Sequence, residues 1–314
     1  MLNKKLIVST IREFMSYIHD IRAELRYLVR ELGLLDKNCF GTGLSLTQAH
    51  LLTYLFKNGI TSFNELQIQL TIDKASLSRM LTALIEKDYA ESLFISKDKR
   101  VKHFRITTAG QATLSKANSI ADKDLSFINV HMENNEVEAL VKGLSTFRKG
   151  AFRRNCARNP ERILIERLRE NQRSEVDRLL RETFFDEQKI PDHLISIPEE
   201  YAGKWWVARS GEYLLGAVAC WQENDQCHWG RFAVEPEYRG MGIGKRLALT
   251  SLKECFQHNN EIIIEARDTT VRIITQLGGD ITGEAFDFYG MPVTPMRINK
   301  QGFEKAQKGA LPRP

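Results

Sequence analysis

Residues 234–246 read VEPEYRGMGIGKR, and this stretch decides the fold of the second half of the chain. It follows the β-prone run Gln226–Val234 and precedes an amphipathic segment, so its glycines lie between a predicted strand and a predicted helix. Gly240, Gly242 and Gly244 recur at every second position. A glycine-rich turn that opens a helix points backbone N–H groups at an anion, and the stretch therefore predicts a phosphate site.

The glycine spacing excludes two common phosphate-binding motifs. The Rossmann GxGxxG has different intervals, and a P-loop needs Ser or Thr after Gly-Lys, where this chain has Arg246. The stretch is instead similar to the signature [RQ]-x-x-G-x-[GA] of the GNAT acetyltransferases, satisfied by Arg239, Gly242 and Gly244. The V-x-P-x-Y pattern of that superfamily precedes it, starting at Val234. The resemblance covers about residues 161–300.

The pattern around the glycine stretch predicts a mixed α/β domain, and the resemblance implies the α+β GNAT fold with a mixed, largely antiparallel sheet. Helices are predicted at Ser174–Phe185, from the glycine stretch to about Gln257, and at Thr270–Leu277. Strands are predicted at Ile163–Ile165, Lys204–Arg209, Tyr213–Trp221, Gln226–Val234 and Glu261–Glu265, with two more near 281–288 and 293–299.

The resemblance also implies a co-substrate, acetyl-CoA or another acyl-CoA. In that superfamily the loop amides bind the pyrophosphate, and the end of the preceding strand pairs with pantetheine. The residues assigned to this role are Phe232, Val234, Arg239, Gly240, Met241, Gly242, Ile243, Gly244 and Lys245. The implied reaction is direct acyl transfer to an amine acceptor, either a small molecule or a protein lysine. No metal is expected, because the chain has no CxxC or Cys/His ligand spacing.

The general base is expected on the strand that ends at Val234. With a period of two, Phe232, Gly230 and His228 share the face of Val234, and His228 is the titratable group among them. Its position is similar to that of the catalytic Glu in the histone-acetylating branch of the superfamily. An imidazole also titrates near neutral pH, so His228 is the candidate base. A structural histidine is the alternative.

The acid that protonates the leaving thiolate is not evident. Many GNAT enzymes carry a Tyr at the position where this chain has Ile274. Either water or another group such as Tyr289 protonates the thiolate, or turnover is slow, or the domain binds acyl-CoA without catalysis. Cys227 and Glu265 are further candidates for the site. Three tryptophans are expected in the core rather than in a substrate wall: Trp205, Trp206 and Trp221.

The first half is predicted to be mostly helical, because all eight prolines lie beyond residue 159. Apolar residues at steps of three and four predict one long amphipathic helix. This seam consists of Ile7, Ile11, Phe14, Ile18, Ile21, Leu25 and Leu28. Further helices are predicted at Leu46–Phe56, Phe63–Leu70, Lys74–Lys87, Thr108–Asn129 and Asn134–Lys149, with a charged β-hairpin at Ala90–Ile95 and Lys102–Ile106.

This order of elements resembles the winged helix-turn-helix of the MarR family of bacterial regulators. The resemblance is carried by IDKASLSRMLTALIEKDYAE at 72–91 and by a wing with Asp98 and Arg100, closed by the ITTAG run at 106–110. It covers about residues 6–149. It implies binding to double-stranded DNA and a homodimer formed by the terminal helices; an apolar seam packed inside one subunit is the alternative. One departure is Asp88, where a Gly commonly ends the recognition helix.

The residues of this region suit DNA recognition on physical grounds as well. With Leu77, Leu81 and Leu84 turned inward, small polar residues and one Arg face outward and can enter the major groove. Basic side chains at a hairpin tip suit the narrow, negative minor groove. The predicted DNA-binding residues are Ser76, Ser78, Arg79, Lys97, Lys99 and Arg100. Solvated surfaces are the alternative for both segments.

Charge, hydropathy and cysteine content indicate the kind of protein and the compartment in which it is expected. Of the net charge of +5, all lies in residues 1–150, which hold 21 Lys and Arg against 16 Asp and Glu. The longest apolar run, Leu214–Trp221, is far shorter than the roughly 20 residues of a membrane span, and the N-terminus lacks a signal-peptide pattern. Five scattered cysteines predict reduced thiols. A cytoplasmic protein is therefore expected.

Together these patterns predict two domains and lead to two hypotheses about function. Residues 1–150 form a mainly-α winged helix-turn-helix domain for DNA binding and dimerisation, 151–160 a linker, and 161–314 a GNAT domain. The first hypothesis is a bifunctional protein, a transcriptional regulator that is also an acyl-CoA-dependent N-acyltransferase. The alternative is a regulator whose GNAT domain does not catalyse and instead senses acyl-CoA to modulate DNA binding.

Overall fold

The computed structural model describes residues 2–94 and 101–309. The chain divides into two compact units, Met1–Leu144 and Ser145–Pro314. The prediction of a mainly helical first half and a mixed second half is confirmed. The finer division, with a linker at 151–160, stays a prediction, and a helix covers most of that segment.

The first unit is built from helices around a small sheet. The helices are α1 Leu2–Glu31, α2 Leu46–Asn58, α3 Phe63–Leu70, α4 Lys74–Glu86, α5 Thr108–Asn129 and α6 Asn134–Arg158. The strands are β1 Thr61–Ser62, β2 Ala90–Leu93 and β3 His103–Ile106, paired antiparallel in the order β1-β3-β2. Helix α6 passes the predicted end at Lys149, and its residues from 145 onwards belong to the second unit.

Local hydrogen bonds start the helices of the first unit where their polar residues predict. Ser45 forms a capping box with Gln48 at the start of α2, and Ser62 and Asp73 cap α3 and α4. Leu77 and Leu84 of α4 are fully buried among leucines of α2 and α3. The α3–α4 pair is therefore a helix-turn-helix that presents the outer face of α4.

The apolar seam of α1 lies exposed in the described protomer. Ile18, Ile21, Leu25 and Leu28 are each about 40–50% exposed. The side chains of Ile7, Ile11 and Phe14 lie outside those that the structure describes. The terminal helices α5 and α6 expose further large apolar side chains: Leu125, Phe127, Ile128, Leu140, Val141, Leu144 and Phe147.

The second unit is organised around one mixed sheet. Its strands are β4 Leu164–Arg167, β5 Lys204–Ser210, β6 Tyr213–Glu223, β7 Gln226–Val234, β8 Glu261–Ala266, β9 Gly279–Ile281, β10 Phe286–Phe288 and β11 Met291–Asn299. The order is β10-β11-β8-β7-β6-β5-β4, with β9 also paired to β11. The pair β7–β8 is parallel and the other described pairs are antiparallel, which confirms the predicted sheet type.

Helices cover both faces of this sheet. They are α7 Arg173–Leu180, which continues as a π-helical segment Arg181–Glu187, then α8 Ile243–Cys255, α9 Asp268–Gln276 and the unpredicted α10 Lys300–Gly309. On one face, the α8 face, Ile243 and Leu247 pack with Trp206 and Trp229. On the other, the α7 face, Val176 and Leu179 pack with Trp205, Val207 and Ala217.

The described helices and the cysteines provide two further observations. No described helix is long and apolar enough to cross a bilayer. All five cysteines are buried free thiols, one in the first unit and four in the second.

We expect Gly110, in the first turn of α5, to be essential for the first unit. A Cβ there would lie 2.0 Å from the backbone oxygen of Tyr89, so Gly110→Ala should reduce the free energy of unfolding by at least about 2 kcal/mol. Gly143→Ala is the matched control. Its Cβ would meet nothing within 4 Å, so this helical site should gain about 0.5–1 kcal/mol.

Urea denaturation can separate the two units. All four tryptophans lie in the second unit, so fluorescence follows that unit, while circular dichroism also follows the helices of the first. Gly110→Ala should lower the midpoint of the dichroism transition and leave the fluorescence midpoint unchanged. Equal midpoints for Gly110→Ala and the wild type would contradict the close packing.

Candidate functional site

The site of the second unit lies where two neighbouring strands part. Strands β7 and β8 run parallel but pair at a single position, His228 with Ile263. A cavity of about 860 Å³ is lined by the ends of both strands. Elements of both sheet faces contribute to its wall: the start of α8 and α9 from one face, and the π-helical segment with the loop that follows it from the other.

Most residues that the sequence assigned to acyl-CoA are brought together in this cavity. Met241 is not among its lining residues, because its side chain packs against the core of the α8 face. The residues that line the cavity are Phe232, Val234, Arg239, Gly240, Gly242, Ile243, Gly244 and Lys245.

The glycine loop leaves the start of α8 open. Gly240 and Gly242 have φ angles of +81° and +75°, a region that strongly favours glycine. Gly242 is the N-cap residue of α8, and no side chain caps this helix. The first N–H groups of a 13-residue helix therefore lack an intrahelical partner and lie at the cavity wall. Their geometry suits an anionic ligand.

Arg239 is held by protein groups in this structure. Its guanidinium makes two hydrogen bonds, of 2.9 and 2.7 Å, to the Glu187 carboxylate, and its Nε donates to the Val234 carbonyl at 3.0 Å. The hydrogen bonds from Arg239 lower the pKa of Glu187. Arg239 thus ties the glycine loop to the π-helical segment, so a phosphate would be bound chiefly by backbone N–H groups.

A buried hydroxyl in the cavity wall lacks a partner. Thr183, on the π-helical segment, is 4% exposed and lines the cavity. Its Oγ1 makes no hydrogen bond to the described residues. A buried polar atom without a partner is costly, and a bound ligand in this cavity could satisfy it. The cavity therefore fits a ligand that carries polar atoms.

A β-bulge in β7 corrects the predicted placement of His228. Ala217 pairs with Ala233 but Ala219 pairs with Gly230, so one residue of β6 faces two residues of β7. Arg231, at the bulge, has a φ of +53°. The extra residue reverses the alternation, so the prediction that His228 and Gly230 share the face of Phe232 and Val234 is wrong.

The corrected placement puts His228 on the α7 face. Its ring stacks on Trp221, with centroids 5.6 Å apart and an interplanar angle of 17°. A Cβ on Gly230 would lie 3.1 Å from the same Trp221 ring. Phe232 and Val234 instead pack against the core of the α8 face. His228 still lines the cavity, because the cavity opens to both faces.

The predictions for the tryptophans are confirmed in part. Trp205 and Trp206 are buried in the core. Trp221 is half-buried and lines the cavity, so its assignment to the core alone is wrong. Because a bulky ring at the end of a sheet strand can serve either role, the sequence alone could not separate them.

Of the remaining candidates for the site, Glu265 lines the cavity, whereas Tyr289 and Cys227 do not. Ile274 is fully buried in the core of the α8 face. Tyr289 is 45% exposed on the turn after β10 and does not line the cavity. Cys227 is buried on the α8 face, with its Sγ 3.1 Å from that of Cys220, and this hydrogen bond raises the pKa of Cys220. Tyr289 therefore stays a prediction without geometric support.

The outer face of α4 is the second candidate site. Ser78 and Arg79 are exposed, Ser76 is half-buried, and Arg79 Nη2 donates to Ser76 Oγ at 3.3 Å. Asp88 follows α4 in the left-handed conformation, with a φ of +58°, which is where a Gly commonly stands in the resembled family. The wing residues Lys97, Lys99 and Arg100, together with Asp98, lie outside the described residues.

The described residues contain no metal centre. Within 2–94 and 101–309, no group of three or more His, Cys, Asp or Glu side chains is arranged to hold a metal ion.

Comparison with known families gives two separate matches. Residues 169–274 match the family model described as acetyltransferase (GNAT) family, and residues 44–102 match the MarR family. The first match contains the glycine loop, and the second contains α2 to α4. Each match thus covers one of the two candidate sites.

Individual relatives cover one part of the chain each. The HTH-type transcriptional regulator BilQ of Clostridioides difficile is 29% identical over 93 residues, which are 30% of this chain and 63% of BilQ. The crystal structure of Escherichia coli ElaA has 18% identity and a TM-score of 0.39, covering 44% of this chain and 99% of ElaA. Wild-type apo MarR from E. coli has 24% identity and a TM-score of 0.35, covering 40% of this chain and 95% of MarR.

Proposed function

The chain carries a MarR-family segment at 44–102 and a GNAT-family segment at 169–274, and from this premise we propose that it is a bifunctional transcriptional regulator. Its first domain binds double-stranded DNA, and its second transfers an acetyl group from acetyl-CoA, or a related acyl group, to an amine. The observation that carries the enzymatic part is the uncapped start of α8 in the wall of a cavity between parting strands.

The cavity suits acyl-CoA in two respects. The N–H groups that begin at Ile243 offer a site for the pyrophosphate. Beyond His228, the edge of β7 that faces β8 has no strand partner, so its backbone groups are free to pair with the amides of pantetheine. Acetyl-CoA bound there supplies the acyl group as a thioester.

His228 is the proposed general base. It faces the cavity from the α7 face, where it can take a proton from an acceptor amine while acyl-CoA occupies the glycine loop. The bulge at Arg231 turns backbone groups out of the sheet ladder beside it, and an N–H there can stabilise the developing oxyanion.

The acyl-CoA site predicts a direct binding result. Wild-type protein titrated with acetyl-CoA in a calorimeter should bind, whereas Gly242→Glu should lose at least about 100-fold in affinity, because its side chain blocks and repels the pyrophosphate. Gly290→Glu is the matched control, since this glycine also has positive φ and open space but does not line the cavity. Equal affinities for Gly242→Glu and Gly290→Glu would remove the proposed site.

The role of His228 predicts a loss of turnover without a loss of binding. His228→Ala should lower kcat about 100-fold or more, while acetyl-CoA affinity stays within twofold. Thiol release with a panel of amines gives kcat, and calorimetry with acetyl-CoA gives the affinity. Full turnover by His228→Ala would exclude this histidine as the base.

The DNA-binding part follows from α4. Its exposed face carries Ser78 and Arg79, and the buried leucines behind it hold the helix on the domain core. We expect dimerisation through the exposed apolar seam of α1, since MarR proteins are typically dimers and an apolar face of this kind favours burial.

Arg79→Ala should weaken specific DNA binding about tenfold or more, and the affinity of the wild type should fall steeply with salt as counterions are released. Electrophoretic or fluorescence titrations would use a fragment selected from sheared genomic DNA. The matched control is Arg154→Ala, an exposed arginine of α6 outside the helix-turn-helix. Affinity that does not depend on salt, or equal effects of the two variants, would contradict the recognition helix.

A non-catalytic acyl-CoA sensor is the second candidate function, and one observation favours it. The second-unit part of α6 contacts the entry to the glycine loop: Lys149 pairs with the Glu237 carboxylate, Arg153 donates to the Glu237 carbonyl, and Phe152 packs on Tyr238 with centroids 5.1 Å apart. The same helix begins at Asn134 in the first unit. A change in the glycine loop on binding of acyl-CoA would therefore act on α6, as the sensor function requires.

DNA titrations with and without saturating acetyl-CoA distinguish the two functions. A sensor predicts a change in DNA affinity of fivefold or more, reduced in Glu237→Gln, without consumption of any amine. An enzyme whose domains act independently predicts turnover with no change in DNA affinity.

A further inference from the structure

Two arginines, one on β7 and one directly after β8, hold the loops that surround the α7-face side of the cavity. Arg231 of β7 donates from Nε to the Ile195 carbonyl at 2.6 Å and from Nη2 to the Leu194 carbonyl at 2.8 Å. Arg267, directly after β8, donates to the Met291 carbonyl at 2.6 Å and to the Phe288 carbonyl at 3.2 Å. Each guanidinium thus fixes one loop by its backbone.

Protein groups engage both guanidiniums on this side of the site. Burial lowers the pKa of Arg231, and Arg267 makes a further bond from Nε to Gln188 Oε1 at 3.1 Å. Arg231 directs two of its five donors to protein carbonyls, and all three nitrogens of Arg267 donate to protein oxygens, so both side chains serve as struts that hold loops.

One carboxylate in the same region has no such partner. Glu265 lies on β8, where Ile264 and Ala266 point into the core of the α8 face, so Glu265 shares the α7 face with His228. It lines the cavity and is exposed. Its carboxylate forms no hydrogen bond or ion pair with the part of the chain that the structure describes, and it is attracted electrostatically to the Arg231 guanidinium.

The walls next to Glu265 are apolar. The loop fixed by Arg231 contributes Leu194 and Ile195, and the loop fixed by Arg267 contributes Phe288 and Met291, all of which line the cavity. The β7–β8 pairing position, His228 with Ile263, is two residues before Glu265 on β8. A free carboxylate therefore stands near the proposed base, between apolar loops.

We propose that Glu265 is the residue that selects the acceptor, and that the acceptor is a primary amine on an apolar body, an alkylamine or arylalkylamine. The inference rests on the acyltransferase function proposed above. The ammonium group pairs with the Glu265 carboxylate, and the apolar body lies against the Leu194–Ile195 and Phe288–Met291 walls. A carboxylate beside the amine is repelled by Glu265, and a polycation without an apolar body leaves the walls uncovered.

The proton balance assigns separate roles to the two residues. The bound ammonium gives one proton to His228, which releases it to solvent. The neutral amine then attacks the thioester carbonyl, the C–N bond forms and the C–S bond breaks. The second amine proton is lost to solvent as the amide forms, and the thiolate takes one proton from solvent and leaves as the thiol. The products are an amide, CoA thiol and one proton, and Glu265 takes no part in the proton transfers.

Steady-state kinetics with matched amines test the proposal. At saturating acetyl-CoA, 2-phenylethylamine and n-hexylamine should be used with kcat/KM at least tenfold higher than phenylalanine, which adds a carboxylate, and than putrescine, which lacks an apolar body. Glu265→Gln should raise KM for 2-phenylethylamine about tenfold or more, with little change in kcat, in its pH profile or in KM for acetyl-CoA. Glu304→Gln, an exposed carboxylate on α10, is the matched control.

Three outcomes would overturn the proposal: equal KM values for the Glu265→Gln and Glu304→Gln proteins, preference for phenylalanine or putrescine, or a Glu265→Gln effect on kcat alone. If no amine is turned over, the catalytic part of the proposed function fails, and calorimetry of 2-phenylethylamine on the CoA-bound protein then tests Glu265 separately. Binding that is lost in Glu265→Gln but kept in Glu304→Gln supports the acceptor site. Absence of binding to the wild type overturns it.

Discussion

The second unit depends on the point at which β7 and β8 stop pairing. A single parallel pair, His228 with Ile263, joins the strands, and their separation beyond it leaves a cavity in the middle of an otherwise continuous sheet. Backbone groups that lose a strand partner must find another one. The bulge at Arg231, the open start of α8 and the two arginine struts all lie around this gap, so one interruption of the ladder organises the whole site.

Local patterns were sufficient for most of the fold. Period-two runs predicted β5, β6 and β7 within about two residues of their observed bounds, and the capping residues and leucine spacing predicted α3 and α4. The glycine spacing located the loop. The sequence could not reveal the bulge, because it requires one residue of positive φ and the chain supplies Arg231, not glycine. That one extra residue moved His228 to the opposite face from the one predicted.

Contacts between distant residues were the other part that the sequence could not supply. Arg239 meets Glu187 across 52 positions and Arg267 meets Gln188 across 79, and neither pair has a local signature. The sequence predicts a linker at 151–160, directly after the basic residues Arg148 and Lys149. In the structure most of this segment is helical, Lys149 pairs with the Glu237 carboxylate, and Arg153 donates to the Glu237 backbone carbonyl. Charge alone does not distinguish a solvated linker from a helix that packs against an acidic loop.

The buried thiols are distributed over both units, so their reactivity can be used to follow how often each unit opens. Cys39 lies within the first unit, whereas Cys156, Cys220, Cys227 and Cys255 lie within the second. A thiol reagent can reach a buried sulfur only during a local or global opening, so the rate of alkylation measures how often each region opens. Mass spectrometry of the alkylated peptides would then give separate opening rates for the first and the second unit in one intact chain.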